Sequence, residues 1–209
     1  MPSKTAPGLP DGLAYTDYAA RSRATQQHIL DAAVEALVEA GYAGASTLEI
    51  QRRAGVSRGR LLHQYPHRDA LLVAAVQHIA AARVSATAER RRWPKDAGRR
   101  IDAAVAAMWG TYHEGYFWAA TELWLAARYN EALREALKPG EQALGASIRA
   151  AVDEMFGPEL AQHEDYVATR ELLNTSMRGV ALTYAFDPHD PDRDTHLPMW
   201  RGMARRALL

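Results

Sequence analysis

Apolar residues recur at helical spacing along most of the chain. Between Ser22 and Gly41, the positions Ile29, Leu30, Ala33, Leu37 and Ala40 fall three or four apart, which predicts an amphipathic helix closed by the glycine. A short second helix is predicted from Thr47: Ile50 and Ala54 share a face, Ser46 and Glu49 have the spacing of a capping box, and Gly55 can take the left-handed conformation that ends a helix. Ser57 is placed to cap a third helix, with Val56 just outside and Leu61 inside it spaced as a hydrophobic staple. Pro66 interrupts, and Asp69 opens a long helix through Leu72, Ala75 and Val76 to about Arg92. At 1.5 Å per residue that helix is on the order of 35 Å long, enough to join two domains.

Past Trp93 and Pro94 the pattern stays helical and nowhere alternates as a strand would. Helices are expected at about 97–115, 117–129, 131–156 and 164–186, then a proline-rich loop from Asp187 to Pro198 and a last helix to Leu209. Pro139-Gly140 is expected to break or kink the third of these. Residues 1–20 hold Pro2, Pro7, Gly8, Pro10 and Gly12 and read as an N-terminal arm whose single base is Lys4. The expected fold is all-α: a three-helix helix-turn-helix unit over 21–68, followed over 69–209 by a second helical domain, with 69–92 as the connecting helix.

Two short helices across a tight turn make a probe for the DNA major groove. In the second of them Leu61 and Tyr65 share a face that would be buried, leaving Arg58, Gly59, Arg60, His63 and Gln64 elsewhere on the helix. From Arg52 to Arg68 there are five arginines (52, 53, 58, 60 and 68) and no acid, although the whole chain balances 25 basic against 25 acidic residues. The positive potential is therefore expected to be local. Arginine's planar fork matches phosphate oxygens and the O6/N7 edge of guanine, the latter worth roughly 1–3 kcal/mol of discrimination. Gly59 would let the backbone approach closely. Caps, turn and charge coincide, which a solvated basic face alone would not require.

Composition narrows the alternatives. The absence of cysteine excludes disulfides and thiolate chemistry, and no apolar run approaches the roughly 20 residues of a membrane span. The start of the chain lacks the order of a secretory signal, so cytoplasmic residence is expected. No Gly-rich phosphate loop, Gly-x-Ser-x-Gly elbow or His-Glu-x-x-His helix occurs, so no catalytic residue and no cofactor is assigned. The acids and histidines of Asp187–His196 match no calcium or zinc spacing, so no metal is assigned either.

The run GYAGASTLEIQRRAGVSRGRLLHQYPHRDALL, from Gly41 to Leu72, resembles the DNA-binding domain of the TetR family of transcription factors, and the resemblance spans about Ser22 to Val76. Gly41-Tyr42, Ser46-Thr47, Ala54-Gly55-Val56-Ser57 and the stretch from Leu61 to Tyr65 occupy the family's motif positions. The chain departs from it at Leu62, where a tyrosine is usual, at Gln64 in place of histidine, and at Gln51 in place of a small alanine. The resemblance implies phosphate contacts from Ser46 or Thr47 and from Arg68, and base or backbone contacts from Arg58, Gly59 and Arg60. With Ser57, His63 and Gln64 these complete the expected DNA-facing set.

It also implies a helical ligand-binding and dimerisation domain. Trp109, Tyr112 and Tyr116 fall on one helical face, and with His113, Trp118, Glu122, Trp124, Arg128, Asn174, Met177 and Arg178 they are the expected pocket residues. Leu173, Met177, Val180 and Tyr184, with Trp200 and Met203, are expected to pair two copies into a homodimer. The implied function is a repressor released from a palindromic DNA operator by a small hydrophobic or aromatic effector. The rival readings are a protein-interaction module that has lost DNA binding, for which Leu62 and Gln64 would be signs, and a small-molecule enzyme.

Overall fold

The computed structural model describes residues 11–89 and 92–209. Residues 1–10, and Lys4 with them, lie outside the described residues. Ten α-helices follow in order: α1 (Asp11–Gly44), α2 (Thr47–Ala54), α3 (Arg58–Gln64), α4 (Arg68–Glu89), α5 (Ala97–Thr111), α6 (Gly115–Ala127), α7 (Glu131–Phe156), α8 (Pro158–Ala161), α9 (Tyr166–Thr183) and α10 (His196–Leu208). No strand occurs among the described residues. Residues 11–20, read from sequence as part of an arm, belong to α1.

Two apolar clusters organise these helices. The first gathers Ile29, Ala33 and Leu37 of α1, Ile50 of α2, Leu61 of α3, and Leu71, Leu72 and Val76 of α4. It also takes Leu123 of α6 and Leu133 and Leu137 of α7, so α2 and α3 share a core with the helices that follow. The second joins Ile101, Val105 and Trp109 of α5, Met155 and Phe156 of α7, Leu173 and Met177 of α9, and Trp200 and Ala204 of α10.

Two breakers act differently from their sequence reading. Helix α7 runs on through Pro139, which lies on an exposed turn where the carbonyl deprived of its partner, that of Glu135, belongs to an equally exposed residue that water can satisfy. Gly140 then brings α7 close to α4, because a Cβ there would land on the Gln77 amide. Helix α10 starts at His196, inside the expected loop; Pro198 is tolerated in its first turn because the missing N–H has no helical acceptor there. No helix of the described residues is long and apolar enough to cross a membrane.

Candidate DNA interface and ligand cavity

Local chemistry sets the turn. Ser46 Oγ accepts from the Glu49 N–H at 3.2 Å, starting α2. Gly55 takes φ 63° and its N–H donates to the Gln51 carbonyl, ending it. Ser57 Oγ accepts from the Arg60 N–H at 3.3 Å and starts α3. Leu61 is buried, and Val56 and Tyr65 pack on the same core, which fixes the angle at which α3 leaves the turn. The returning half of the expected capping box is absent. The Glu49 carboxylate instead accepts from Arg52 at 3.0 and 2.7 Å and from Arg53 at 2.7 Å, and those hydrogen bonds lower its pKa to about 2.

The five arginines divide. Arg53 also pairs with Glu39 at 2.7 Å, so Arg52 and Arg53 are matched by acids from α1 and α2 that the local charge count had left aside. Arg68 is turned inward: Nε donates to the Ala45 carbonyl at 2.7 Å, Nη2 to the Tyr42 carbonyl, and the guanidinium lies 4.3 Å from the centroid of the Tyr42 ring. It holds the α1–α2 connection from behind, because the start of α4 lies under that loop. Arg58 and Arg60 remain exposed on α3, with Ser57, Gly59 and His63 exposed around them and Ser46 and Thr47 at the head of α2. A Cβ added at Gly59 would meet no atom within 4 Å. Gln64 does not join this surface: three residues past Leu61, it shares the inward side of α3, and its Oε1 is buried without a hydrogen-bond partner.

A polar seam links this unit to the helices behind it. Gly41 takes φ 65°, turning the chain so that the Tyr42 N–H donates to Glu122 Oε2 of α6 at 2.8 Å. The Tyr42 hydroxyl donates to Asp69 Oδ1 at 2.8 Å, and burial and then that carboxylate raise its pKa. Asn130 donates to Asp69 Oδ2 at 3.2 Å while its own Oδ1 caps α7 by accepting from the Leu133 N–H. Glu122, expected in the pocket, therefore belongs to this seam. A Cβ at Gly41 would lie 2.9 Å from Glu122 Oε2, in a backbone region that β-branched residues avoid. Gly41→Val is expected to cost at least about 2 kcal/mol, a fall of roughly 4–8 °C in Tm by thermal scanning.

A cavity of about 270 Å³ opens among α5, α6, α7 and α9. Five residues expected to form the pocket line it: Tyr112, Tyr116, Trp124, Asn174 and Arg178. Met108, Phe117, Glu141, Ile148, Val152 and Met155 were not anticipated. Four of these lie on α7, whose continuity through Pro139 puts Glu141, Ile148, Val152 and Met155 along one helical side; the apolar spacing after Gly140 was the available signal. The Tyr112 hydroxyl donates to the Asn174 carbonyl at 3.0 Å and is pushed up to about 12 by burial. Burial also raises the Glu141 carboxyl. Arg178 lies over Trp124, its Cζ 5.2 Å from the ring centroid.

The other expected pocket and interface residues go elsewhere. Trp109, His113, Tyr184 and Trp200 converge between α5, α9 and α10, with ring centroids 4.3 Å apart for Trp109 and His113 and 4.9 Å for Trp109 and Trp200. The Trp109 N–H donates to the Pro191 carbonyl at 2.9 Å. Beside them the buried Asp194 accepts from the Tyr184 hydroxyl at 2.6 Å and from the backbone N–H of His196 at 2.7 Å. Leu173, Met177, Tyr184 and Trp200, expected at a dimer interface, are thus buried within one chain, while Val180 and Met203 are half-buried. Exposed apolar residues on or just after these helices include Val167, Leu172, Leu182, Phe186 and Met199. Trp118 packs on Phe117, and Arg128 lies over Tyr129 at the surface.

Residues 29–75 match the model of bacterial regulatory proteins of the tetR family. An uncharacterized HTH-type transcriptional regulator of Mycobacterium tuberculosis is 25% identical over 189 residues, covering 90% of this chain and 96% of that protein. The HTH-type transcriptional regulator BetI of Burkholderia thailandensis is 35% identical over 80 residues, covering 38% of this chain and 41% of BetI. Among solved structures, a TetR-family regulator from Rhodococcus superposes with a TM-score of 0.67 at 21% identity over 88% of this chain and 98% of that one. The multidrug binding protein EbrR complexed with proflavin does so with 0.52 at 21% identity, over 88% and 99%.

Proposed function

Because the chain belongs to the TetR family of bacterial regulatory proteins, we propose that this DNA-binding transcriptional regulator is a repressor, which reads a palindromic operator as a homodimer and leaves it when a small hydrophobic or aromatic molecule enters the cavity. The observation that carries the DNA reading is the exposed row Ser57, Arg58, Gly59, Arg60 and His63 beside the capped start of α2. Two capped helix starts offer N–H groups to phosphates, and two arginines free of internal ion pairs supply the forks that read bases. Residues 21–68 form the reading unit and 69–209 the effector and dimer domain, in the cytoplasm with the chromosome. Leu172, Leu182, Phe186 and Met199 supply apolar surface for the second copy.

The seam supports a route for release. A ligand that favours one placement of α6 and α7 acts through Glu122 on Tyr42 and through Asn130 on Asp69, and so biases the spacing of the paired reading heads. EbrR, which shares the fold, is known in complex with proflavin, so a fold of this kind accommodates an aromatic guest.

Binding-site selection from random DNA, followed by titration at several salt concentrations, tests the reading. Arg60→Ala is expected to relax preference at a base by about 1–3 kcal/mol. Gly59→Ala is expected to leave the fold intact or stabilise it by up to about 1 kcal/mol, yet weaken operator binding, because the methyl occupies the space the DNA backbone needs. Arg68→Ala should lower thermal stability and affinity together without flattening the salt dependence, since its guanidinium serves the α1–α2 connection. Operator affinity and base preference left unchanged by both Arg60→Ala and Gly59→Ala would reject this surface.

A further inference from the structure

The cavity's polar groups say more about its guest than its apolar walls do. Buried atoms of its lining without hydrogen-bond partners include Arg178 Nε, Trp124 Nε1 and Glu141 Oε1. Two are N–H donors that cannot act as acceptors at all. Arg178 stacks on Trp124 and acts on Glu141 only at a distance, and its guanidinium keeps its charge in any protein setting. Glu141 is the acid beside them: burial raises its carboxyl, against the pull of the Trp124 N–H and the Arg178 charge. Glu114, the other acid of the wall, is already engaged. The lining thus sets a permanent cation with a free Nε and an indole donor side by side, next to Met108, Phe117, Ile148 and Val152.

Resting on the effector reading above, we propose that the cavity takes an amphipathic carboxylic acid, an aryl or acyl group ending in a carboxylate that pairs with Arg178. One carboxylate oxygen accepts from Arg178 and the other from the Trp124 N–H, two groups already brought together by the stacking of the guanidinium over the indole. The apolar body lies along the ring edges and the α7 side chains. An organic cation would place its charge against Arg178, and a neutral amide would offer a carbonyl acceptor without the charge that pairs with the guanidinium.

Calorimetric titration of the full chain with 4-phenylbutyrate, 4-phenylbutanamide and 4-phenylbutylamine separates these cases. The acid is expected to bind about tenfold or more tighter than the amide, and the amine weaker still, as a charge-assisted pair requires. Arg178→Met should bring acid and amide to the same affinity, while Arg178→Lys keeps part of the preference; the wild-type series decides the matter even if a variant fails to fold. Equal or tighter binding of the amide or amine overturns the carboxylate and leaves the cavity as the effector site. Binding of none of the three overturns both.

Discussion

Trp109→Ala is expected to lower the unfolding free energy by about 3–5 kcal/mol, the range for truncating a large buried aromatic. Trp109 is 2% exposed and touches the rings of His113, Tyr184 and Trp200, so the wall left behind has nothing to collapse with. Its indole also satisfies the Pro191 carbonyl, which becomes an unpaired acceptor on truncation. At roughly 2–4 °C per kcal/mol for a chain of this size, Tm should fall by 6 °C at the least, on the order of 10 °C. Trp109→Phe restores ring packing but not the hydrogen bond, and should recover more than half of the loss. A Trp109→Ala protein that melts within about 2 °C of the wild type would show that this cluster is not the anchor of α5, α9 and α10.

Asp194 gives the second large effect, and its pH dependence is a signature packing alone would not produce. Burial works to raise its pKa, but the Tyr184 hydroxyl and then the backbone N–H and ring of His196 favour the charged form more strongly, so the value falls below the ordinary 3.8. The sign follows from linkage. A carboxylate with a depressed folded pKa contributes stability that is complete above the unfolded value and is lost as pH falls through the folded one. Asp194→Ala is expected to cost about 3 kcal/mol in urea unfolding at pH 7, since it strands the Tyr184 hydroxyl and two donors of His196. Asp194→Asn keeps the shape and loses the charge, so its deficit relative to wild type should shrink as pH drops below about 4. A deficit that stays constant from pH 7 to pH 3 would mean the aspartate acts only by filling space.

The reading head was legible because its determinants are local. Ser46, Gly55, Ser57 and the Val56–Leu61 staple each act over four or five residues, so sequence spacing alone predicted caps and turn that the structure reproduces. The charge reading was less secure. It counted Arg52, Arg53 and Arg68 with Arg58 and Arg60, whereas Glu39, Glu49 and the carbonyls of Tyr42 and Ala45 engage the first three. Glu49 lies only three residues from Arg52, just before the acid-free stretch, but Glu39 reaches Arg53 from another helix.

The C-terminal residues show the same limit at longer range. Trp109, Tyr112 and Tyr116 have the spacing of one aromatic stripe, yet α5 ends at Thr111 and Tyr116 belongs to α6, so Trp109 enters the α5–α9–α10 core while the tyrosines line the cavity. Leu173, Met177 and Trp200 had the spacing of an interface, and spacing alone does not distinguish a face buried by the same chain from one buried by a second copy. Glu141 follows a proline and a glycine that read as a break, so its place on the cavity wall emerged only with α7 intact.

By itself, then, the sequence determined the all-helical class, the caps and turn of the reading head and the position of its two outward arginines, since hydrogen bonds and steric preferences within one or two helical turns decide those. Only the tertiary structure decided which cations remain unpaired, that Arg68 and Glu122 join the seam between reading head and body, and that Arg178, Trp124 and Glu141 meet in one cavity. Those outcomes depend on residues as far as 80 positions apart in the chain, and no local propensity encodes which of their faces meet.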